Sequence, residues 1–387
     1  MPCHVAVRYP TPEGLAPLLA APGVRSWHLQ ERFQPQQPSV SLQPPAPAFT
    51  PAVESSLGQW LIEAPAAAGL RLDSGLLAWR RQWLYELNPA NAPVATRDEG
   101  SLSLAPWRLL ARRLSSGWCA PALPPGWWQK QRSPLRLGAP LVLLSSHNNP
   151  NYFHWATQPG LAPLFLQEHF GLPPLQGAEL ALSHRPSRPL PVYVEPLLEL
   201  VAPDLPRRIA PALASASTCR MALQAHASSV VVSPRQLHWW RQRLQHVLVP
   251  VHRPWRRLLL SRRQARKRRC CNEDQLLAAL TPLGFECVEL ELHTVQEQLQ
   301  LFSEAAIVMG VHGAGFTNLV ACQPGALVVE LLPNQGPYSH YYLMASALGL
   351  RHSHLIGKLL DPTSTNFLVD PDRLLELLGV LGVEDPA

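Results

Sequence analysis

Ala306-Ile-Val-Met-Gly-Val-His-Gly-Ala-Gly-Phe-Thr-Asn318 starts as an apolar run, breaks at glycines and continues with helix-compatible residues. Residues 306–309 read as a buried strand of a parallel sheet, and 316–322 as a short helix. A strand that turns into a helix through glycines leaves several N–H groups unpartnered at the helix start. Those amides, with the positive end of the helix dipole, make a seat for phosphate. Twenty residues past Gly310, a second apolar run at 326–332 carries one acid, Glu330. An acid at that offset can reach a ribose hydroxyl. The stretch reads as a nucleotide site.

The surrounding chain supports this frame. From residue 255 onward, strand and helix patterns alternate. Residues 258–260 and 285–290 read as strands. Asn272, followed by Glu273 and Asp274, reads as a helix cap with acids in the first turn, and that helix ends before Pro282. Thr294 and Glu297 fit a capping box opening a helix with Leu299, Phe302 and Ala306 on one face. Helices are expected at 337–348 and 370–380. This alternation predicts a parallel sheet wound on both faces.

Upstream the pattern is looser. Residues 141–146 read as a strand running into His147-Asn-Asn-Pro-Asn-Tyr-Phe-His-Trp155, then a helix interrupted at Pro159-Gly160. Strands are expected near 179–182 and 191–194. Pro234 after Ser233 opens a helix to 247. Residues 1–140 are the least legible, although eight of the twelve tryptophans lie there. Helical spacing around Leu76, Leu77, Trp79, Trp83 and Leu84 suggests one helix. The Pro- and Gln-rich 33–53 reads as a surface loop.

The 387 residues suffice for two domains, and 42 prolines imply short elements with stiff connections. Of the net charge of +6, eight positive charges come from Arg256, Arg257, Arg262, Arg263, Arg266, Lys267, Arg268 and Arg269. Removing them reverses the sign of the remainder, so the chain carries one basic segment on a near-neutral body. Such a segment suits a nucleic acid, a membrane surface or a phosphate-bearing small molecule. Seven scattered cysteines without a CxxC pair point to reduced thiols and no structural zinc. The sequence has no signal-like N-terminus and no spanning run, which makes the cytoplasm the expected location.

In an open parallel sheet, ligands sit beyond the carboxyl ends of the strands. Arg262 follows the first strand, His312 with Gly313, Ala314 and Gly315 follows the third, and Glu330 lies near the end of the fourth. Each alone has a bland reading: a tight turn, a packed histidine, a capping acid. Gathered at one edge, they suit a nucleoside diphosphate, because arginine's planar fork matches phosphate oxygens.

Residues 258–333 resemble glycosyltransferase family 61, with Ser261-Arg262, Arg269-Cys-Cys-Asn272-Glu273, Gln298, Leu301-Phe302, His312 to Asn318, Pro324-Gly325 and Glu330-Leu-Leu-Pro333 standing in its pattern. Asn151-Tyr-Phe-His154-Trp155 resembles the family's acceptor-side signature. The resemblance implies a bacterial-type member with the GT-B arrangement: two Rossmann-like domains with parallel sheets facing a cleft. Residues 1–245 would form the acceptor-side domain and 246–387 the nucleotide-sugar donor domain. The last helix, 370–381, would pack back on the N-terminal domain. It further implies inverting transfer from a nucleotide donor, usually UDP-linked, to a glycan or lipid-linked glycan hydroxyl in polysaccharide biosynthesis, at most peripheral to the inner membrane.

Donor-binding roles carry over to Arg262, Arg269, His312, Gly313, Ala314, Gly315, Asn318 and Glu330, and acceptor-side roles to Asn151, His154 and Trp155. Many members place an acid three or four residues after the signature histidine, where this chain has Thr157 and Gln158. That departure moves the catalytic base to His154, with Arg262 and His312 stabilising the leaving group. No metal or cofactor is expected; the lone Asp-x-Asp, Asp370-Pro-Asp372, reads as a helix start. Two rival readings are an NAD-type dinucleotide enzyme and a nucleic-acid binder using 256–269. The glycine order is wrong for the first, and the second lacks interleaved aromatics.

Overall fold

The computed structural model describes residues 7–8, 12–43, 47–73, 76–79, 82–84, 112–114, 117–119, 133–144, 151–157, 160–184, 189–226, 232–334, 338–361, 363 and 365–384. The chain divides into two compact units. Met1–Glu31, Ser56–Val192 and Ala202–Ser229 make the first; Arg32–Ser55, Tyr193–Val201 and Val230–Ala387 make the second.

The second unit is built on five parallel strands in the order Phe285–Val288, Arg256–Leu260, Ala305–Val311, Leu327–Leu332, Arg351–Ile356. The chain starts in the second position, steps outward once, then crosses back to build the other side. The strand order therefore reverses between Arg256–Leu260 and Ala305–Val311. That reversal opens a crevice at their carboxyl ends.

Both faces of this sheet are covered. On one face, Leu259, Met309, Val311, Val329 and Leu331 pack with Leu276 and Leu280 of helix Glu273–Leu280 and Leu374, Leu377 and Leu378 of helix Pro371–Val380. The terminal helix thus buries its apolar face in its own unit. Its spacing of three and four residues makes one continuous stripe, which this sheet face covers. Asp370 caps it, accepting from the Asp372 N–H at 3.0 Å.

Helix Val295–Ser303 starts at the expected capping box, with Thr294 and Glu297 bonded reciprocally. Ala306 lies beyond that helix, in strand Ala305–Val311, because the helix stops at Ser303. Helix Pro234–Gln245 is capped by Ser233, whose hydroxyl accepts from the Gln236 N–H at 3.0 Å. Residues 191–194 form no strand. Val194, Leu197, Leu198 and Val201 recur at helical spacing and are buried on helix Val194–Val201.

Asn272 precedes helix Glu273–Leu280 without capping it by its side chain. Its amide instead grips the backbone of Val369, accepting from N–H at 3.0 Å and donating to C=O at 2.7 Å. The expected surface loop at 33–53 is largely irregular and mostly exposed or half-buried among its described residues, and it is anchored at two points. Val40 pairs with Ser353 beside the edge strand, and Phe49 is buried against Leu332 and Tyr342.

The first unit holds a mixed sheet. Strands Arg207–Ile209, Glu179–Leu182, Leu141–Leu144 and Thr218–His226 run parallel, and Ser55–Pro65 pairs antiparallel to the last. Its other six-stranded sheet is largely antiparallel. Leu76–Trp79 and Gln82–Leu84 belong there as paired strands, not as a helix. The short apolar run fits both periods, and cross-strand pairing selected the shorter one. A parallel sheet therefore describes the second unit and only part of the first.

Candidate active site

The functional side chains gather at the crevice where the strand order reverses. Arg262 lies two residues past strand Arg256–Leu260, and His312 lies one residue past Ala305–Val311. A Cβ placed on Gly313 would lie 2.1 Å from Nη1 of Arg262, so the guanidinium packs directly on the glycine backbone. Gly313 is extended, so the requirement for glycine there is one of space. Glu273 sets the Arg262 turn from below. Its carboxylate accepts from the Ser261 hydroxyl at 2.7 Å and from the Arg262 N–H at 3.1 Å.

Past Gly313 the chain forms a 3-10 helix, Ala314–Ala321. Its first bond runs from the Phe316 N–H to the Gly313 carbonyl at 3.1 Å. The amides of Gly313, Ala314 and Gly315 therefore stand ahead of the ladder, as at any helix start. Asn318, expected to bind the donor, is fully buried, and its amide donates to Gln298 Oε1 at 3.0 Å. Gln298 in turn donates to the carbonyls of Leu290 at 2.7 Å and His293 at 3.0 Å. This pair braces the glycine turn from within.

His312 is 6% exposed, and its Nδ1 bonds to Oε1 of Glu330. Tyr338 and Tyr341 flank the ring at centroid distances of 4.7 and 5.0 Å. Burial, then the charges of Arg268 and Arg262, push its pKa well below 6.5. Both influences favour the neutral form of the ring. Glu330 is completely buried, and its second oxygen meets Nε2 of His352 at 3.3 Å. Burial raises its pKa, while His352 and Arg268 oppose that rise. An acid with both oxygens engaged inside the protein does not reach a ribose; Glu330 instead holds His312. The dinucleotide reading loses its key acid by the same geometry.

The basic segment resolves into parts. Arg256 is paired with Glu304 at 2.6 Å and Glu286 at 2.7 Å, Arg257 donates to the carbonyls of Leu283 and Glu384, and Arg263 pairs with Asp274 at 2.6 Å. These three are committed internally, which weakens the nucleic-acid reading. Arg262 is partly buried, its Nε has no hydrogen-bond partner among the described residues, and burial and Arg268 lower its pKa. Crowded cations short of acceptors are receptive to an anion.

Arg269, the expected ligand, has an exposed side chain, and its backbone N–H donates to Asn366 Oδ1 at 3.0 Å. Arg268, absent from the expected site, is the residue whose charge acts on His312, Glu330, Tyr341 and Arg262. Its backbone is left-handed, with φ of 56°, an unfavourable conformation for a side chain of this kind. No periodicity announces such a turn. His352 was also missed, although it alternates with His354 on one strand, and His354 pairs in register with Glu330.

In the first unit, His154 lies in helix Tyr152–Thr157, its N–H donating to Asn151 Oδ1 at 3.3 Å and its ring edge-on to Phe153 at 5.4 Å. Asn151 thus tends the helix start. Trp155 is buried, with Gly160 against its backbone, so its ring packs inside the first unit. Gln158 falls outside the described residues.

What the geometry gives is a guanidinium, a buried imidazole and a glycine turn gathered at the switch point of a parallel α/β sheet. Residues 152–329, a little under half of the chain, match the sequence profile of the family described as Glycosyltransferase 61, and over that stretch the chain is of that family. It is similar to a beta-1,2-xylosyltransferase of Arabidopsis thaliana, 27% identical over 27% of this chain and 19% of that one. It is also similar to protein O-linked-mannose beta-1,4-N-acetylglucosaminyltransferase 2 of Homo sapiens, 30% identical over 32% of this chain and 22% of that one. The matches span about a fifth of these relatives' length. The iron-containing dodecameric glycosyltransferase TibC from enterotoxigenic E. coli overlays 65% of this chain and 77% of that one at 14% identity and a TM-score of 0.29, too slight to bear on the fold. Among the described residues, no helix is long and apolar enough to cross a membrane.

Proposed function

We propose that the protein transfers a sugar from a nucleoside diphosphate donor, UDP-linked, to a glycan or lipid-linked glycan hydroxyl with inversion at the anomeric carbon. The observation that carries the proposal is the guanidinium of Arg262 lying on Gly313, beside His312 and ahead of a helix start. Arg262, Arg268 and the amides of residues 313–315 would hold the diphosphate and take up the charge that develops as it departs. This positive charge would serve where other transferases use a metal ion. The two units are read as the donor-side and acceptor-side halves of a GT-B enzyme. His154 is the proposed base that takes the acceptor proton during attack.

The relatives' names make xylose and N-acetylglucosamine the first sugars to try. The test is a screen of UDP-, GDP- and CDP-sugars with purified protein, reading nucleoside diphosphate release and the configuration of any product. UDP release with an inverted product, undiminished by a chelator, is expected. No release from any donor, together with no thermal shift on adding UDP, would overturn the reading. A strict need for added metal would overturn its metal-free form.

A further inference from the structure

His312, Glu330, His352, Ser39 and His354 form an unbroken hydrogen-bond chain inside the second unit, and all five are buried. Nδ1 of His312 meets Oε1 of Glu330, and Oε2 meets Nε2 of His352 at 3.3 Å. Nδ1 of His352 meets the Ser39 hydroxyl at 2.8 Å, and the same hydroxyl meets Nδ1 of His354 at 2.8 Å. Segment 32–55 is held so that Ser39 can do this. Val40 donates to the His352 carbonyl at 3.0 Å and accepts from the His354 N–H at 3.0 Å, while Phe49 stacks on the His354 ring at 4.2 Å.

Each of the four contacts needs one proton, and the groups allow little choice. An ionised carboxylate only accepts, so His312 donates from Nδ1 and His352 from Nε2. A neutral His352 then has an acceptor at Nδ1, which obliges Ser39 to donate to it. Ser39 has a single O–H, so it accepts from Nδ1–H of His354. With three neutral imidazoles and an ionised Glu330, no other assignment satisfies all four contacts. Against the burial that raises its pKa, the hydrogen bond from His352 and the charge of Arg268 favour the carboxylate.

We propose that this relay locks His312 in the tautomer protonated at Nδ1, with Glu330 as the positioning residue and Ser39 extending the relay to His354, and that the bare Nε2 takes up one proton when a diphosphate binds. The tautomer stands on the hydrogen-bond chain alone; the proton uptake rests on the diphosphate reading above. The groups facing His312 are Glu330, Tyr338, His340, Tyr341, Arg262 and Arg268. Without ligand, the two arginines oppose a charge on Nε2. A bound dianion reverses that field, and a proton from the buffer moves onto Nε2, leaving an imidazolium between ligand and Glu330. Release of the nucleotide returns the proton.

The test uses the full chain with 15N-labelled histidine, first without ligand. His312 is expected to show a protonated Nδ1 and an unprotonated Nε2 at neutral pH; the opposite tautomer overturns the relay. Ser39→Ala should mix the tautomers of His354, which loses its acceptor, while Ser39→Thr keeps the wild-type state and His312 stays protonated at Nδ1 in both, with thermal melts reporting that both variants fold. An unchanged His354 in folded Ser39→Ala removes Ser39 from the relay. Calorimetry with UDP, run in buffers of low and high ionisation enthalpy, should then read about one proton taken up per UDP. UDP binding with no uptake overturns the second half. No UDP binding at all sinks the diphosphate reading, and the ligand-free spectra still decide the relay.

Discussion

The Arg262 guanidinium occupies the space that a side chain on Gly313 would need, with Nη1 2.1 Å from where a Cβ would stand. Two residues from different strands are thereby made one unit. A methyl at 313 must push the guanidinium out of the crevice. Gly313→Ala and Arg262→Ala are therefore expected to fold normally and to lose transfer activity by about 10²–10³, the usual cost of one stabilising donor. Full turnover in either variant, measured as nucleoside diphosphate release, would remove this contact from the mechanism.

Arg268 and Arg269 are neighbours in sequence with opposite expected effects. Only Arg268 acts electrostatically on His312 and Glu330, whereas the Arg269 side chain is exposed. Arg268→Ala should weaken UDP binding at least about tenfold, and Arg269→Ala should change it little; a lost charge-assisted bond is worth roughly 1.5–3 kcal/mol. Isothermal titration of the two variants with UDP checks the ranking, and the reverse order refutes it.

Glu273 sits under the Arg262 turn, bonded to the Ser261 hydroxyl and the Arg262 N–H. Glu273→Ala should destabilise the protein by about 1–3 kcal/mol, because a buried hydroxyl and an amide lose their acceptor. Activity should fall as well, since the turn positions Arg262. Thr294→Ala removes the capping box one turn before Gln298, which braces the glycine turn. It should cost about 0.5–2 kcal/mol of stability with a smaller loss of kcat than Glu273→Ala, because it leaves the Arg262 turn itself intact. Denaturant melts paired with rate measurements separate the two kinds of effect.

Acid should destabilise the second unit before most carboxylates titrate. Burial lowers the pKa of His354 to about 4 and also lowers those of His312 and His352. The unfolded chain protonates these rings near pH 6.5, while the folded chain resists. Between about pH 6.5 and 4 the unfolded state binds more protons, so stability falls as pH falls and is level above that window. Glu330, whose pKa is raised, acts in the opposite sense and offsets part of the loss. The denaturation midpoint should drop across this window in wild type and drop less in His354→Asn. An equal slope in both would show that His354 contributes nothing to it.

Local signals announced the elements around the crevice because each is written within a few residues. The Thr294–Glu297 box, the Ser233-Pro234 start and the apolar runs at 306–309 and 326–332 depend on neighbours along the chain. Their alternation, with right-handed crossovers, was enough to place Arg262 and His312 at the ends of adjacent strands. The paired strands at 76–84 were misread because a short apolar run satisfies two periods at once.

The sequence by itself therefore determined the parallel α/β unit, its glycine turn and which end of the sheet carries the cationic and imidazole groups. Only the tertiary structure decided that Glu330 turns inward to His312 and His352, that Arg268 rather than Arg269 acts on the site, and that Ser39 joins it from segment 32–55. Those relationships join residues far apart in the chain or hinge on one backbone angle. Burying the polar groups of the relay is costly unless every one finds a partner, and that condition is settled only when the strands and the segment beside them pack together.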